Sequence, residues 1–163
     1  VVTPAAAEEA SAIWHSQVVT YSSGADLTSL VGGGTLHHPN DPLTTPLMNT
    51  FHMDGPAVFK KATRLLGPFL ENFFAQLGWT RSQVNLVVPH QASRHGVELL
   101  TARLGFQPEQ VFLNLPTRGN CISASIPLAL SEAYDAGRLR RDDRVVLVGS
   151  GAGLTFGALA LTF

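Results

Sequence analysis

Three short segments of this 163-residue chain place polar groups where a ligand can reach them. In VVPHQAS, His90 follows the apolar run Asn85 to Pro89 and so stands at the end of a buried strand. Ligand crevices of α/β proteins open at such strand ends. An imidazole there can exchange a proton near neutral pH or donate a hydrogen bond to a developing oxyanion. The same histidine would equally serve to close a turn. In RGNCISASIP, Asn120 precedes a helix start crowded with small residues. Its carboxamide is a neutral donor that can stabilise an enolate or oxyanion without titrating, and asparagine is also a common helix cap. Cys121 is a nucleophile only if the helix N-terminus holds its thiolate; the other reading is a small buried hydrophobe.

The third segment, GSGAGLTFG from Gly149 to Gly157, is rich in glycines that let a backbone N–H approach a reacting carbonyl. A hairpin turn between two strands uses the same residues. No Lys-Ser/Thr pair follows, so it is not a phosphate loop. His37 and His38, with Asp41 nearby, are the remaining candidate ligands. Adjacent histidines point in different directions and no third ligand has suitable spacing, so no metal site is expected.

The elements that must position these groups follow from periodicity. Ala12 to Thr20 reads as a strand, followed by an irregular stretch from Tyr21 to Asp54. A loop of that length is usually functional or covers a site. Asp54 caps a helix that starts at Pro56; Val58, Phe59, Ala62, Leu65, Leu66, Phe69, Phe73 and Leu77 recur at helical spacing before Gly78. Pro68 is expected to kink it. Asn85 to Pro89 is a doubly buried strand and Ser93 to Leu104 a helix. Val111 to Leu113 is a brief strand, Ile122 to Ala136 a helix ended by Gly137, and Arg144 to Gly149 and Leu154 to Phe163 are two antiparallel strands. Five strands alternating with helices predict an α/β domain with a mixed five-stranded sheet.

Composition narrows the setting. Hydrophobic residues make up 45% and charged residues 14%, too little polarity to cover an isolated domain, so another domain or subunit is expected against it. The net charge of −1 gives no field favouring nucleic acid. No apolar run approaches the ~20 residues that cross a bilayer, and VVTPAAAEEA lacks the features of a signal peptide. The single cysteine excludes an internal disulfide framework and fits a cytoplasmic protein. The chain begins at Val1-Val2 without an initiator methionine, as a fragment or processed chain would.

Taken together, VVPHQAS, RGNCISASIPLAL with SEAYDAGRL, and LVGSGAGLTFGALALTF resemble the C-terminal half of ketoacyl-[acyl-carrier-protein] synthase III, in the same order and at similar separations. FHMDGPAVFKKA resembles the segment before that family's first long helix in this half, so the resemblance runs from about Thr20 to Phe163. It implies that residues 1–163 form a C-terminal thiolase-like domain, the N-terminal half supplying the nucleophilic cysteine. It implies an acyltransferase that performs decarboxylative Claisen condensation of an acyl-CoA with a malonyl thioester, of fatty-acid or polyketide type. The implied partners are the N-terminal half, acyl carrier protein and a second copy of the complete enzyme. Coenzyme A thioesters are substrates, and no resident cofactor is implied.

By motif position, His90 and Asn120 match the family's catalytic pair, and Gly151, Ala152 and Gly153 match the turn that donates a backbone N–H to the oxyanion. Lys60, Ser93 and Arg94 match contacts to carrier protein or coenzyme A. Cys121, Ser93 and Ser150 depart from the family's usual Thr, Asn and aromatic residue, which points to a divergent relative. Acyl transfer to a non-carbon acceptor and a non-catalytic partner subunit stand as alternatives. The isolated chain is expected to be inactive, because Cys121 is not at the nucleophile position.

Overall fold

A computed structural model describes residues 4–163. The elements run β1 (Ala12–Gly24), β2 (Thr28–Leu30), β3 (Phe51–Met53), α1 (Gly55–Leu77), β4 (Leu86–Pro89), α2 (Arg94–Leu104), α3 (Leu115–Arg118), α4 (Ser125–Asp135), β5 (Arg144–Gly151) and β6 (Gly153–Thr162). The main sheet has the order β1-β6-β5-β4. β1 and β5 flank β6 antiparallel, whereas β4 joins β5 in parallel, so the sheet is mixed.

The fifth expected strand contributes one parallel bridge, between Val87 and Val111. The ladder stops there for a chemical reason. Phe112 donates its N–H to the carbonyl of Val87, but β4 ends at Pro89, which has no N–H, and the N–H of His90 just beyond it is taken by Val148 of β5. A side chain, described below, supplies the missing partners.

The sheet carries helices on both faces. α1 forms where the sequence predicts it: the Asp54 carboxylate accepts the N–H of Ala57 at 3.0 Å, and Gly78 ends the helix in the left-handed region with φ 75°. The helix runs without interruption through the exposed Pro68. Its inner face buries Phe69, Leu70, Phe73 and Phe74. Together with Val97 and Leu104 of α2, these pack on Val87, Val146, Val148 and Phe156 of the sheet. Each such buried side chain contributes ~1.5–3 kcal/mol. The opposite face holds Ala129 and Ala133 of α4 against Leu86, Val88 and Val145. That cover lies over β4 and β5 and reaches β6 only at its Leu161 end. On β1, Ser16, Val18 and Thr20 are exposed beside the half-exposed Gly157 and Leu159 of β6.

The irregular stretch is an arm rather than a plain loop. β1 extends to Gly24, and β2 pairs with β3 antiparallel across the intervening residues. The arm presents exposed Leu36, Leu43, Leu47 and Phe51. The chain exposes 9929 Å² in all, against about 7,900 Å² for a compact monomer of this mass. Among the described residues, no helix is long and apolar enough to cross a membrane.

Candidate active site

A cavity of about 640 Å³ opens beside the C-terminal ends of β4 and β5. His90 and Asn120, thirty residues apart in sequence, both line it. Each arrives by a separate route. β4 ends at Pro89, and the His90 N–H is fixed to the Val148 carbonyl at 2.7 Å, which holds the imidazole at the sheet edge. The half-buried ring loses hydration there, and this desolvation lowers its pKa below the ordinary value. The neutral imidazole is therefore favoured at physiological pH, with one ring N–H to donate.

Asn120 sits on the turn between α3 and α4. Its Oδ1 accepts the backbone N–H of Ile122 at 2.9 Å, which leaves the Nδ2 hydrogens for a ligand. Ile122 itself has φ 53°, a conformation that a branched residue rarely adopts, so the turn is held under strain. Cys121 is partly buried, and its Sγ donates weakly to the Arg118 carbonyl at 3.5 Å.

Gln91 links the two routes, and the sequence reading passed over it. It is only 1% exposed. Its Nε2 donates to the Phe112 carbonyl at 3.0 Å, and its Oε1 accepts the N–H groups of Asn114 at 3.0 Å and Leu115 at 2.9 Å. One side chain thus clamps the His90 turn to the start of α3. From there the Asn114 amide donates to Glu132 of α4 at 2.6 Å, and Arg118 reaches the other oxygen of the same carboxylate. The Asn114 hydrogen bond leads the causes that depress the Glu132 pKa, and the Arg118 hydrogen bond and charge act in the same direction. Both ends of α3 are therefore tied down before the chain turns to Asn120. A buried glutamine next to a histidine at a strand end was the available signal, since a buried amide must find partners.

The backbone that reaches the cavity is Gly149 and Ser150, whereas Gly151, Ala152 and Gly153 are not among its lining residues. Gly151 and Ala152 are exposed at the tip of the β5–β6 hairpin. β5 continues to Gly151, two residues past the expected end. Ser93 does line the cavity, and its Oγ caps α2 by accepting the Gly96 N–H at 3.1 Å. Lys60 and Arg94 lie outside the lining; both are exposed, and Arg94 pairs with Glu98 at 2.8 Å. His38 Nδ1 accepts the Asn40 N–H at 3.1 Å, and Asp41 Oδ1 accepts that of Leu43 at 2.9 Å. Among the described residues no group of three metal-type ligands comes together.

A mixed sheet between helical layers, with a cavity at its strand ends, defines a thiolase-like α/β domain. Residues 74–163 match the family described as 3-oxoacyl-[acyl-carrier-protein (ACP)] synthase III C terminal. Beta-ketoacyl-[acyl-carrier-protein] synthase III of Symbiobacterium thermophilum is 44% identical over 131 residues, which are 80% of this chain and 39% of that protein. The crystal structure of the synthase III from Thermus thermophilus superposes with a TM-score of 0.81 at 36% identity, over 96% of this chain and 47% of that one. That of the enzyme from Pseudomonas aeruginosa gives 0.80 at 32% identity, over 99% and 47%. The chain belongs to the 3-oxoacyl-[acyl-carrier-protein] synthase III family. It spans less than half the length of these relatives.

Proposed function

We propose that this chain is the C-terminal catalytic half of an acyl-condensing enzyme that joins an acyl-CoA to a malonyl thioester. The observation that supports this most directly is the convergence of His90 and Asn120 on one cavity. In the proposed step, the bond from the malonyl α-carbon to its carboxylate breaks and carbon dioxide leaves. The electron pair enters the thioester as an enolate. The neutral imidazole N–H of His90 and the Nδ2 of Asn120 donate to the enolate oxygen. The α-carbon then attacks an acyl thioester on the cysteine of the N-terminal half, forming the carbon–carbon bond and releasing the thiolate. Donors of this kind act best where charge develops and water is excluded.

The N-terminal half would cover the open β1 and β6 face, where Val18 is 72% exposed, and the apolar arm. The excess surface agrees with a missing neighbour of that size. The complete enzyme would be a cytoplasmic homodimer that receives its malonyl group from acyl carrier protein. Fatty-acid and polyketide products are both compatible with this chemistry.

The test is to incubate the complete protein with acetyl-CoA and record its intact mass, then to add malonyl-carrier protein. An acetyl adduct outside Cys121, discharged with release of carbon dioxide and a 3-oxoacyl product, is expected. Acylation of Cys121, or carbon dioxide release that survives loss of both His90 and Asn120, would sink the proposal.

A further inference from the structure

Asn120 lies on a turn that the rest of the fold scarcely holds. Among the described residues, the segment 119–124 makes no hydrogen bond beyond α3 and α4, the two helices that flank it. Asn120 and Ile122 are themselves exposed. The place of the carboxamide at the cavity is therefore decided by how the flanking helices are fixed to each other. α3 has only four residues, too few to hold a position by its own helical bonds.

One carboxylate joins the two helices. Glu132, two turns into α4, accepts the Nδ2–H of Asn114 on one oxygen at 2.6 Å and the Nε–H of Arg118 on the other. Asn114 immediately precedes α3 and Arg118 is its last residue, so both ends of α3 are fixed to α4 and the turn between them is closed as a loop. Gln91 holds the start of α3 to the His90 turn, and Glu132 carries that reference across to α4. An exposed ion pair alone holds little. Here Asn114 is only 8% exposed. A buried amide must find an acceptor, and a charged acceptor makes the stronger bond. The turn also has something to resist, since Ile122 at φ 53° would relax if the two arms were free to part.

We propose that Glu132 is a positioning residue: by clasping both ends of α3 to α4 it sets where the Asn120 carboxamide meets a ligand. It acts through Asn120 alone, because neither Glu132 nor its partners Asn114 and Arg118 line the cavity. The proposal rests on the functional reading above for the role of Asn120 as a donor.

Glu132→Gln keeps the shape of the side chain but offers one acceptor atom where the carboxylate offers two. Arg118→Met releases only the C-terminal end of α3 at an exposed position, and serves as a second variant should the first fold poorly. Hydrogen exchange is read in the complete protein over peptides spanning residues 119–124, where the Ile122 and Ala124 N–H groups are bonded within the turn. It is expected to be about tenfold faster in Glu132→Gln and less so in Arg118→Met, with α1 unchanged. Per folded molecule, kcat should fall at least about tenfold in Glu132→Gln with KM nearly constant, since a small misplacement of a reacting group costs up to about 10² in rate. In an Asn120→Ala background the same substitution should cost almost nothing further, because effects that act through one group do not add. Equal rate losses in both backgrounds, or an unchanged kcat, would overturn the proposal. Unchanged exchange over 119–124 would overturn it whatever the rate does. If the wild type turns over no thioester, exchange decides alone: faster exchange in the variants leaves the clasp on Asn120 standing, and the condensing reading falls.

Discussion

The side-chain oxygen of Asn120 and the backbone N–H of Ile122 are 2.9 Å apart, so the carboxamide is oriented before any ligand arrives. Only its nitrogen can face the cavity. Asn120→Asp keeps the turn-forming oxygen and removes the donor, while placing a negative charge where an enolate would form. Losing one such donor costs ~2.7–4 kcal/mol of transition-state stabilisation, so kcat should fall by ~10²–10³. Steady-state condensation assays on the complete protein check this. A thermal midpoint close to wild type would show that the turn survives.

His90 couples the site to pH with a definite sign. Desolvation lowers its folded pKa, whereas the unfolded chain titrates near the ordinary value of 6.5. Between the lowered pKa and 6.5, the unfolded state binds more protons than the folded one. Stability therefore rises with pH across that window and is lost as pH falls through it. His90→Gln removes the titration. Urea midpoints taken at about pH 5 and about pH 8 should differ less in the variant than in wild type. A wild-type midpoint that rises on acidification would contradict the burial of this ring.

Local signals carried most of the fold. Asp54, Pro56 and Gly78 bracket α1 within one residue of the observed ends, because caps act through neighbours in sequence. Non-local pairing was harder to read. β2 and β3 are three residues each, separated by about twenty, and neither offers periodicity to count. The single bridge at Val111 had the composition of a strand, but Pro89 and Gln91, far away in sequence, limit it. At the site, the types and order of His90 and Asn120 were readable, whereas the cavity wall was not. The lining by Gly149 and Ser150 depends on where β5 ends, which glycine content alone does not set. Gln91 escaped notice because its partners are all backbone groups, which leave no trace in side-chain identity.

The cap on α1 predicts a contrasting, purely structural effect. Asp54→Ala deletes the acceptor for the Ala57 N–H. Such losses cost ~1 kcal/mol. The thermal midpoint of the complete protein should drop by a few degrees, with KM for malonyl thioester nearly unchanged. Asp54→Ser, which keeps an acceptor, should recover most of the loss. A change confined to KM would mean that the carboxylate serves the ligand instead of the helix.

Gln91 is the position where structure and catalysis should fail together. Replacing it by alanine leaves the buried N–H of Asn114, the N–H of Leu115 and the carbonyl of Phe112 without their partner. An unsatisfied buried group costs ~1–3 kcal/mol, so Gln91→Ala should lose about 3 kcal/mol or more of stability. Because the same bonds hold α3 ahead of Asn120, kcat should fall further than the unfolded fraction accounts for. Gln91→Glu separates the two effects: its oxygens can still accept both N–H groups, but nothing is left to donate to Phe112. The glutamate variant should lie between alanine and wild type in urea midpoint and in kcat, with KM changing least. If Gln91→Ala kept full kcat per folded molecule, the clamp would hold the fold alone, and Asn120 would owe its placement to the turn at Ile122.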